Sequence, residues 1–300
     1  MAAPAYPRKT REIFTHHLDS RAWNDFVFRD DDIVIATYAK SGTTWMQQIV
    51  SQLVFGGRDD IDVHRLSPWY DLRVLPPEAR QAVADQQHRR FLKTHLPIDA
   101  LVFSPKARYI YVGRDGRDAA WSFHNHHHNG TEEYFRLYNS GLPEGFPVLE
   151  RGPDDPRDFY RQWFAGNGFP IWPFWENVRG WWAVRGLPNV MLVHFNDLKA
   201  DLEGEIRRIA AFLEIDVGTE TLARAVAHSS FDYMKSHAAS VAPRGGVLWK
   251  GGAETFINKG SNGRWRDRLT PEDVEAYERR AVQELGPDCA RWLAEGGPYA

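Results

Sequence analysis

The run Asp32-Ile33-Val34-Ile35-Ala36-Thr37-Tyr38, with the polar Ala39-Lys40-Ser41-Gly42-Thr43-Thr44 and then Trp45 to Val54 behind it, limits the fold more than any other part of the chain. The first segment is short, apolar and β-branched, the pattern of a buried strand. The last carries apolar residues at 45, 46, 49, 50, 53 and 54, the three-and-four spacing of a helix, and Gly56-Gly57 ends it. A buried strand that runs straight into a helix belongs in a parallel sheet, because parallel neighbours need a long, usually helical, crossover.

The same order recurs downstream. Strands are expected at 90–93, 107–112 and 189–194, a helix from the Gly113-Arg114-Asp115-Gly116-Arg117-Asp118 turn to about His128, and an amphipathic helix at 202–213. The fold class is therefore α/β, a central parallel sheet flanked by helices, read as one domain over 1–300 because no linker-like stretch divides it. Two segments, 129–173 and 235–268, are poor in regular signals, and long loops inside a compact domain usually carry function. Thr270-Pro271-Glu272-Asp273 opens the last expected helix, with an N-cap residue, proline and acids in the first turn.

Composition excludes several function classes. The net charge of -3 gives no overall attraction to nucleic acid, so any anion site must be local. One cysteine, Cys289, leaves no intrachain disulfide framework and no cysteine-based zinc site. No run of about 18 apolar residues suggests a spanning helix. Residues 1–11 show no apolar leader core, so the expectation is a cytoplasmic protein without stable membrane insertion.

Three blocks carry chemistry. In the strand–loop–helix unit, N–H groups at the helix start form an anion site, and Gly42 lets the backbone approach a phosphate. Lys40 adds a point charge, and Ser41, Thr43 and Thr44 add hydroxyls. The lysine precedes the glycine, so this is not the G-x-x-x-x-G-K-[ST] loop of nucleoside triphosphatases. The second block, Lys93-Thr94-His95-Leu96-Pro97, ends a strand, where open α/β sheets bind ligands, and puts a proton-accepting histidine beside a cation. The third, Arg114 to Ser122, follows the next strand. Arg114 and Ser122 could hold a second phosphate there, while Arg117 and Asp118 read equally well as surface charges or a local ion pair.

Taken with Phe195-Asn196-Asp197-Leu198-Lys199, Ser229-Ser230-Phe231-Asp232-Tyr233-Met234-Lys235 and Asn258-Lys259-Gly260-Ser261-Asn262-Gly263-Arg264-Trp265-Arg266, these blocks follow one family's order over about residues 33–270. The chain resembles the cytosolic-type sulfotransferases, whose pattern runs T-Y-P-K-S-G-T-T-W, K-T-H and R-x-x-x-D-x-x-x-S. The resemblance implies a P-loop-like nucleotide-binding fold and transfer of a sulfuryl group from 3′-phosphoadenylyl sulfate (PAPS), releasing adenosine 3′,5′-bisphosphate (PAP), without a metal. It implies that Lys40, Ser41, Gly42, Thr43 and Thr44 bind the 5′-phosphosulfate, with Lys40 also stabilising the leaving oxygen. His95 would be the general base and Lys93 would place charge on the sulfuryl group. Arg114 and Ser122 would take the 3′-phosphate, with Lys259 and Gly260 closing on it, while Trp45 and Phe231 stack on adenine near Ser229.

Four departures stand out: Ala39 for proline, Phe195 for tyrosine, Asn258 for an arginine expected on the 3′-phosphate, and Pro271 breaking the family's dimer segment. Arg264 is the candidate to replace the missing charge at 258. The acceptor is expected to be a small, largely apolar or aromatic alcohol, phenol or amine, held by Trp69, Tyr70, Tyr134, Phe135, Tyr138 and Phe146. The aromatics Phe169, Trp172, Phe174, Trp175, Trp181 and Trp182 read instead as core. His124-Asn125-His126-His127-His128 lacks a matching carboxylate for a metal site and reads as an exposed helix end or a polar edge of the acceptor pocket. Two rival readings are a nucleotide-dependent phosphotransferase and a non-catalytic nucleotide-binding relative; the second is favoured only by Asn258.

Overall fold

A computed structural model describes residues 5–169 and 172–299; residues 1–4, 170, 171 and 300 of the segments read above lie outside it. Four strands, β1 (Ile33–Thr37), β2 (Phe91–Thr94), β3 (Arg108–Gly113) and β4 (Val190–His194), pair in the order β2-β1-β3-β4, and every pair is parallel. Ala36 lies opposite Thr94, Thr37 opposite Val112, and Gly113 opposite His194, so the carboxyl ends of the strands line up.

All five residues of β1 are buried. Its side chains alternate between two helical layers, as a period of two requires. Ile33 and Ile35 pack with Met46, Ile49 and Val50 of helix α1 (Thr43–Val54) and with Ile206 and Ile209 of the helix Leu202–Phe212. Val34 and Ala36 enter the other core, with Phe174, Trp175 and Trp181 of the helix Phe174–Ala183. A strand with two apolar faces needs both layers, which is why the run carries no polar alternation.

The chain leaves β1 for β2 on one side and returns to β3 on the other. The crevice above β1 and β3 is thus the point where strand order reverses, the place where open α/β sheets bind ligands. At the opposite end, Arg90 and Asp32 form a buried ion pair of 2.5 Å that ties the starts of β1 and β2 together.

Several elements differ from expectation. Helix α1 begins at Thr43 rather than Trp45, so the polar loop is shorter and its hydroxyls stand on the first helical turn. Residues 129–173 hold two helices, Glu132–Asn139 and Pro156–Ala165. Thr131 caps the first by accepting from the Tyr134 N–H, and Asp155 caps the second by accepting from the Arg157 N–H. The density of glycine, proline and aromatics hides both helices from a periodicity reading. Thr270 and Asp273 form a reciprocal capping box on the helix Pro271–Leu285, and a further helix, Pro287–Glu295, follows it. Among the described residues no helix is long and apolar enough to cross a membrane.

Candidate active site

The loop after β1 is built for close approach. Lys40 and Gly42 both take left-handed backbone, at φ 65° and 107°. A β-carbon on Gly42 would meet the Phe195 ring at 3.0 Å in a conformation that side chains disfavour, so glycine is required there. Gly42 is also the N-cap of α1, and no side chain caps that end. The first N–H groups of a twelve-residue helix are therefore aimed into the loop as anion donors.

His95 stands at the carboxyl end of β2, and its protonation is fixed by a neighbour. Nδ1 lies 2.9 Å from the Thr37 carbonyl, which can only accept, so the proton sits on Nδ1 and Nε2 carries the free lone pair. Thr37 Oγ1 is 3.0 Å from the same nitrogen and 2.6 Å from Thr43 Oγ1, which joins the histidine to the phosphate loop. The Asn177 amide donates to the His95 carbonyl at 3.0 Å and accepts from Tyr111 at 2.9 Å, holding the backbone. Burial first, and then Lys93, push His95 down to about 3, so the imidazole is neutral at physiological pH.

Among the described residues, Lys40, Lys93 and Arg114 gather at this point and none is in direct contact with a carboxylate, although Asp71 lies near Lys93 and Asp115 and Asp118 near Arg114. Burial, helped by Arg114 and Lys93, pushes Lys40 down to about 7. Lys93 falls to about 8 through burial, opposed by Asp71, and its ammonium lies 5.5 Å over the Trp69 ring. Arg114 donates through Nε and Nη2 to Asn262 Oδ1, at 2.9 and 2.6 Å, and through Nη1 to the Lys40 carbonyl at 2.8 Å. Its guanidinium stacks 4.2 Å over Phe195, and burial lowers it to about 10. One arginine thus pins the phosphate loop to the late loop at 261–262.

A cavity of about 850 Å³ runs through the site. On one side it is lined by Lys40, Gly42, Thr43, Thr44, Trp45, Arg114, Ser122, Phe231, Asn258, Lys259, Gly260 and Arg264; Lys93 and His95 also line it. Ser41 and Ser229 are buried outside the lining. Ser229 accepts the Trp45 indole N–H on its carbonyl at 2.7 Å, which fixes the Trp45 ring. Lys259, Gly260 and Arg264 bring the late loop to the same rim, so a cation does stand near Asn258.

The other side is mostly aromatic and aliphatic, with His17, His126 and Arg244 also in the lining. Trp69 and Tyr138 line it as expected from their position, together with Leu72, Trp172, Leu248, Trp249 and Phe256. Tyr70 instead packs against Trp23 and Phe26, with ring centroids 5.0 and 4.8 Å away. Tyr134 is fully buried behind the wall, 3.2 Å from His17 Nε2 through its hydroxyl. Phe135 packs on His127 and Arg151, and Phe146 on Phe14 and His16; none of these four lines the cavity. Tyr134 and Tyr138 are one turn apart on the helix Glu132–Asn139 and share a face, with ring centroids 4.7 Å apart, so Tyr134 backs the ring that reaches the cavity.

Trp172, read as core, lies 5.3 Å from the His95 ring, and Trp69 meets that ring edge-on at 4.7 Å. Asp71 holds Trp69 there, accepting from the Trp69 and Trp23 indoles at 2.5 and 2.7 Å and from the Thr94 hydroxyl. His126 enters the cavity from the helix Gly116–His128, whereas His124 turns to the Pro153 carbonyl at 3.0 Å. Among the described residues no group of three or more His, Cys, Asp or Glu is placed to hold a metal ion.

The sulfotransferase domain family matches residues 30–287. A glycolipid sulfotransferase of Mycobacterium bovis is 36% identical over 97% of this chain and 96% of its own length. Human sulfotransferase 2B1 is 31% identical over 89% of this chain and 69% of its own. Among solved structures, a mouse sulfotransferase complexed with PAP superposes with a TM-score of 0.69 at 22% identity, covering 91% of this chain and 90% of that one. A retinol dehydratase in complex with retinol and PAP gives a TM-score of 0.66 at 25% identity, covering 88% and 84%.

Proposed function

The chain belongs to the sulfotransferase family, and from that premise we propose how its own residues carry out sulfuryl transfer from PAPS. The residues at the switch point fit an anionic nucleotide. An uncapped helix start, a glycine cradle and the cations Lys40, Lys93, Arg114, Lys259 and Arg264 share one cavity with the flat rings of Trp45 and Phe231. A β-carbon on Gly260 would come within 2.5 Å of Phe231, so the late loop meets that ring as closely as a backbone can. When bound, the donor supplies a sulfuryl group on a phosphosulfate anhydride, already activated for displacement.

His95 takes the acceptor's hydroxyl proton at Nε2 as the acceptor oxygen bonds to sulfur and the bond from sulfur to the phosphate oxygen breaks. Lys40 and the N–H groups opening α1 meet the charge left on that phosphate oxygen. Lys93 neutralises sulfuryl oxygens. A neutral His95 is ready to accept at once, and a bound polyanion offsets Lys93 and Lys40, which are among the groups that hold its basicity down.

The acceptor is a hydroxyl, or secondarily an amine, on a largely apolar small molecule. Trp69, Tyr138, Trp172, Trp249 and Phe256 supply the wall that would desolvate such a frame. The Mycobacterium relative's glycolipid name and the neighbour's retinol support an apolar frame bearing a hydroxyl. The observation that carries the reading is one cavity lined by His95, the phosphate loop and the aromatic wall, with the His95 proton held on Nδ1. Titration with PAP and with ATP, followed by thermal shift, tests it. PAP should stabilise the protein at lower concentration than ATP; preference for ATP would instead support the phosphotransferase alternative.

A further inference from the structure

Lys40 does not point at the phosphate loop that bears it. Its ammonium lies 3.3 Å from His126 Nδ1 and 4.7 Å over the Phe256 ring. Both partners belong to the aromatic side of the cavity: the His126 ring packs 4.8 Å from Trp249, 5.8 Å from Phe256 and 5.9 Å from Tyr134. In its charged form the lysine can only donate, and His126 then accepts on Nδ1 and carries its proton on Nε2, the reverse of His95. With Lys40 charged, the two histidines of the cavity hold opposite tautomers. The Lys40 carbonyl is held separately by Arg114 at 2.8 Å, so a swing of the side chain would leave its root in place.

We propose that His126 is a positioning residue that parks Lys40 on the acceptor side of the cavity until the donor arrives. This rests on the reading of Lys40 as a donor-phosphate ligand. Donor binding draws the ammonium across to an anion, breaks the bond to Nδ1, and clears the acceptor side of a cation that an apolar acceptor could not solvate. Occupation of the donor cleft therefore opens the acceptor chamber, and the coupling between the two sites runs through one side chain. The low basicity of the parked amine agrees with this geometry, since neither of its two contacts is an anion.

The test is PAP affinity by calorimetry in a double-mutant cycle. His126→Phe keeps the ring and deletes the accepting nitrogen. Losing one hydrogen bond that only the ligand-free protein makes should tighten PAP by about five-fold. The same substitution in a Lys40→Met background should change nothing, and His126→Asn, whose amide oxygen can stand near Nδ1, should keep the wild-type value. Unchanged or weaker PAP binding by His126→Phe, or equal tightening in both backgrounds, overturns the proposal. A wild-type protein that fails to bind PAP would instead overturn the donor assignment beneath it. Nitrogen NMR of histidine-labelled wild-type protein provides a reading without mutation: the His126 Nδ1 resonance should move to the position of a free pyridine-type nitrogen when PAP is added, and a resonance that stays put contradicts the parking role.

Discussion

At the residue scale, chemistry was legible wherever a motif is local. Lys40, Gly42, Thr43 and Thr44 share one loop, and Lys93 and His95 share one strand end, so types and spacing alone pointed to an anion site with a base beside it. Thr37 and Trp172 were not legible in those roles, while His126 was legible only within a helix end read as exposed or as a polar edge of the acceptor pocket. Thr37 reads as an ordinary strand residue until its carbonyl is found 2.9 Å from His95, and Trp172 is 77 positions from the histidine it faces. Tyr70, Tyr134, Phe135 and Phe146 show the converse: an aromatic near the site in sequence can pack on other parts of the chain and leave the cavity to others. The cations give a pH prediction. Lys40 and Lys93 are lowered to about 7 and about 8, so both are charged below those values and lose charge above them. A bound anion favours the charged forms, so binding takes up protons as pH rises. PAP affinity should accordingly fall steadily from pH 6 to pH 9, by up to about ten-fold per pH unit for each lysine once its free value is passed. Calorimetry across that range checks it, and a flat profile would contradict the lowered values.

At the scale of elements, the site is a junction of three segment ends. The β1 loop, the β3 turn and the late loop meet at Arg114, whose guanidinium joins the Lys40 carbonyl to Asn262. The late loop could be placed only by family resemblance, because Asn262, the Ser261 carbonyl and Lys235, which holds the Ile257 carbonyl at 2.7 Å, act at long range. Two substitutions probe these elements. Gly42→Ala forces a side chain into left-handed backbone 3.0 Å from Phe195, a strain of about 1–3 kcal/mol. It should weaken PAP binding more than it lowers thermal stability, since the loop can relax only by leaving its cradle shape. Arg264→Ala removes a cation of the late loop that lines the same cavity as Asn258. If Arg264 supplies the charge absent at 258, PAP should bind about 10- to 100-fold more weakly, the worth of one charge-assisted hydrogen bond, and Asn258→Arg should restore much of it. Comparable PAP binding by Arg264→Ala and wild type would remove that residue from the donor site.

For the molecule as a whole, the parallel sheet was legible because buried strands alternate with helical stretches along the chain, but the strand order β2-β1-β3-β4 was not. What could not be read was the distance from motif to motif, which only the reversal of order at β1 makes short. The frame holding that reversal is set at its far end by Asp32 and Arg90. Asp32→Ala would leave the arginine buried without its partner. It should cost about 3–5 kcal/mol in chemical denaturation, while PAP affinity of the folded fraction stays close to wild type. A loss under about 1 kcal/mol would mean that the pair is solvated more than its burial implies. The central claim concerns the one cavity in which base, cations and aromatic wall meet. It is tested most directly by following sulfuryl transfer from PAPS to a simple aromatic alcohol such as 2-naphthol, in wild type and His95→Ala, with PAP affinity measured on both. Wild type should form the sulfate ester and PAP in equal amounts, and the variant should bind PAP normally yet turn over about 100- to 10,000-fold more slowly. Undiminished transfer by His95→Ala would show that the proton goes elsewhere.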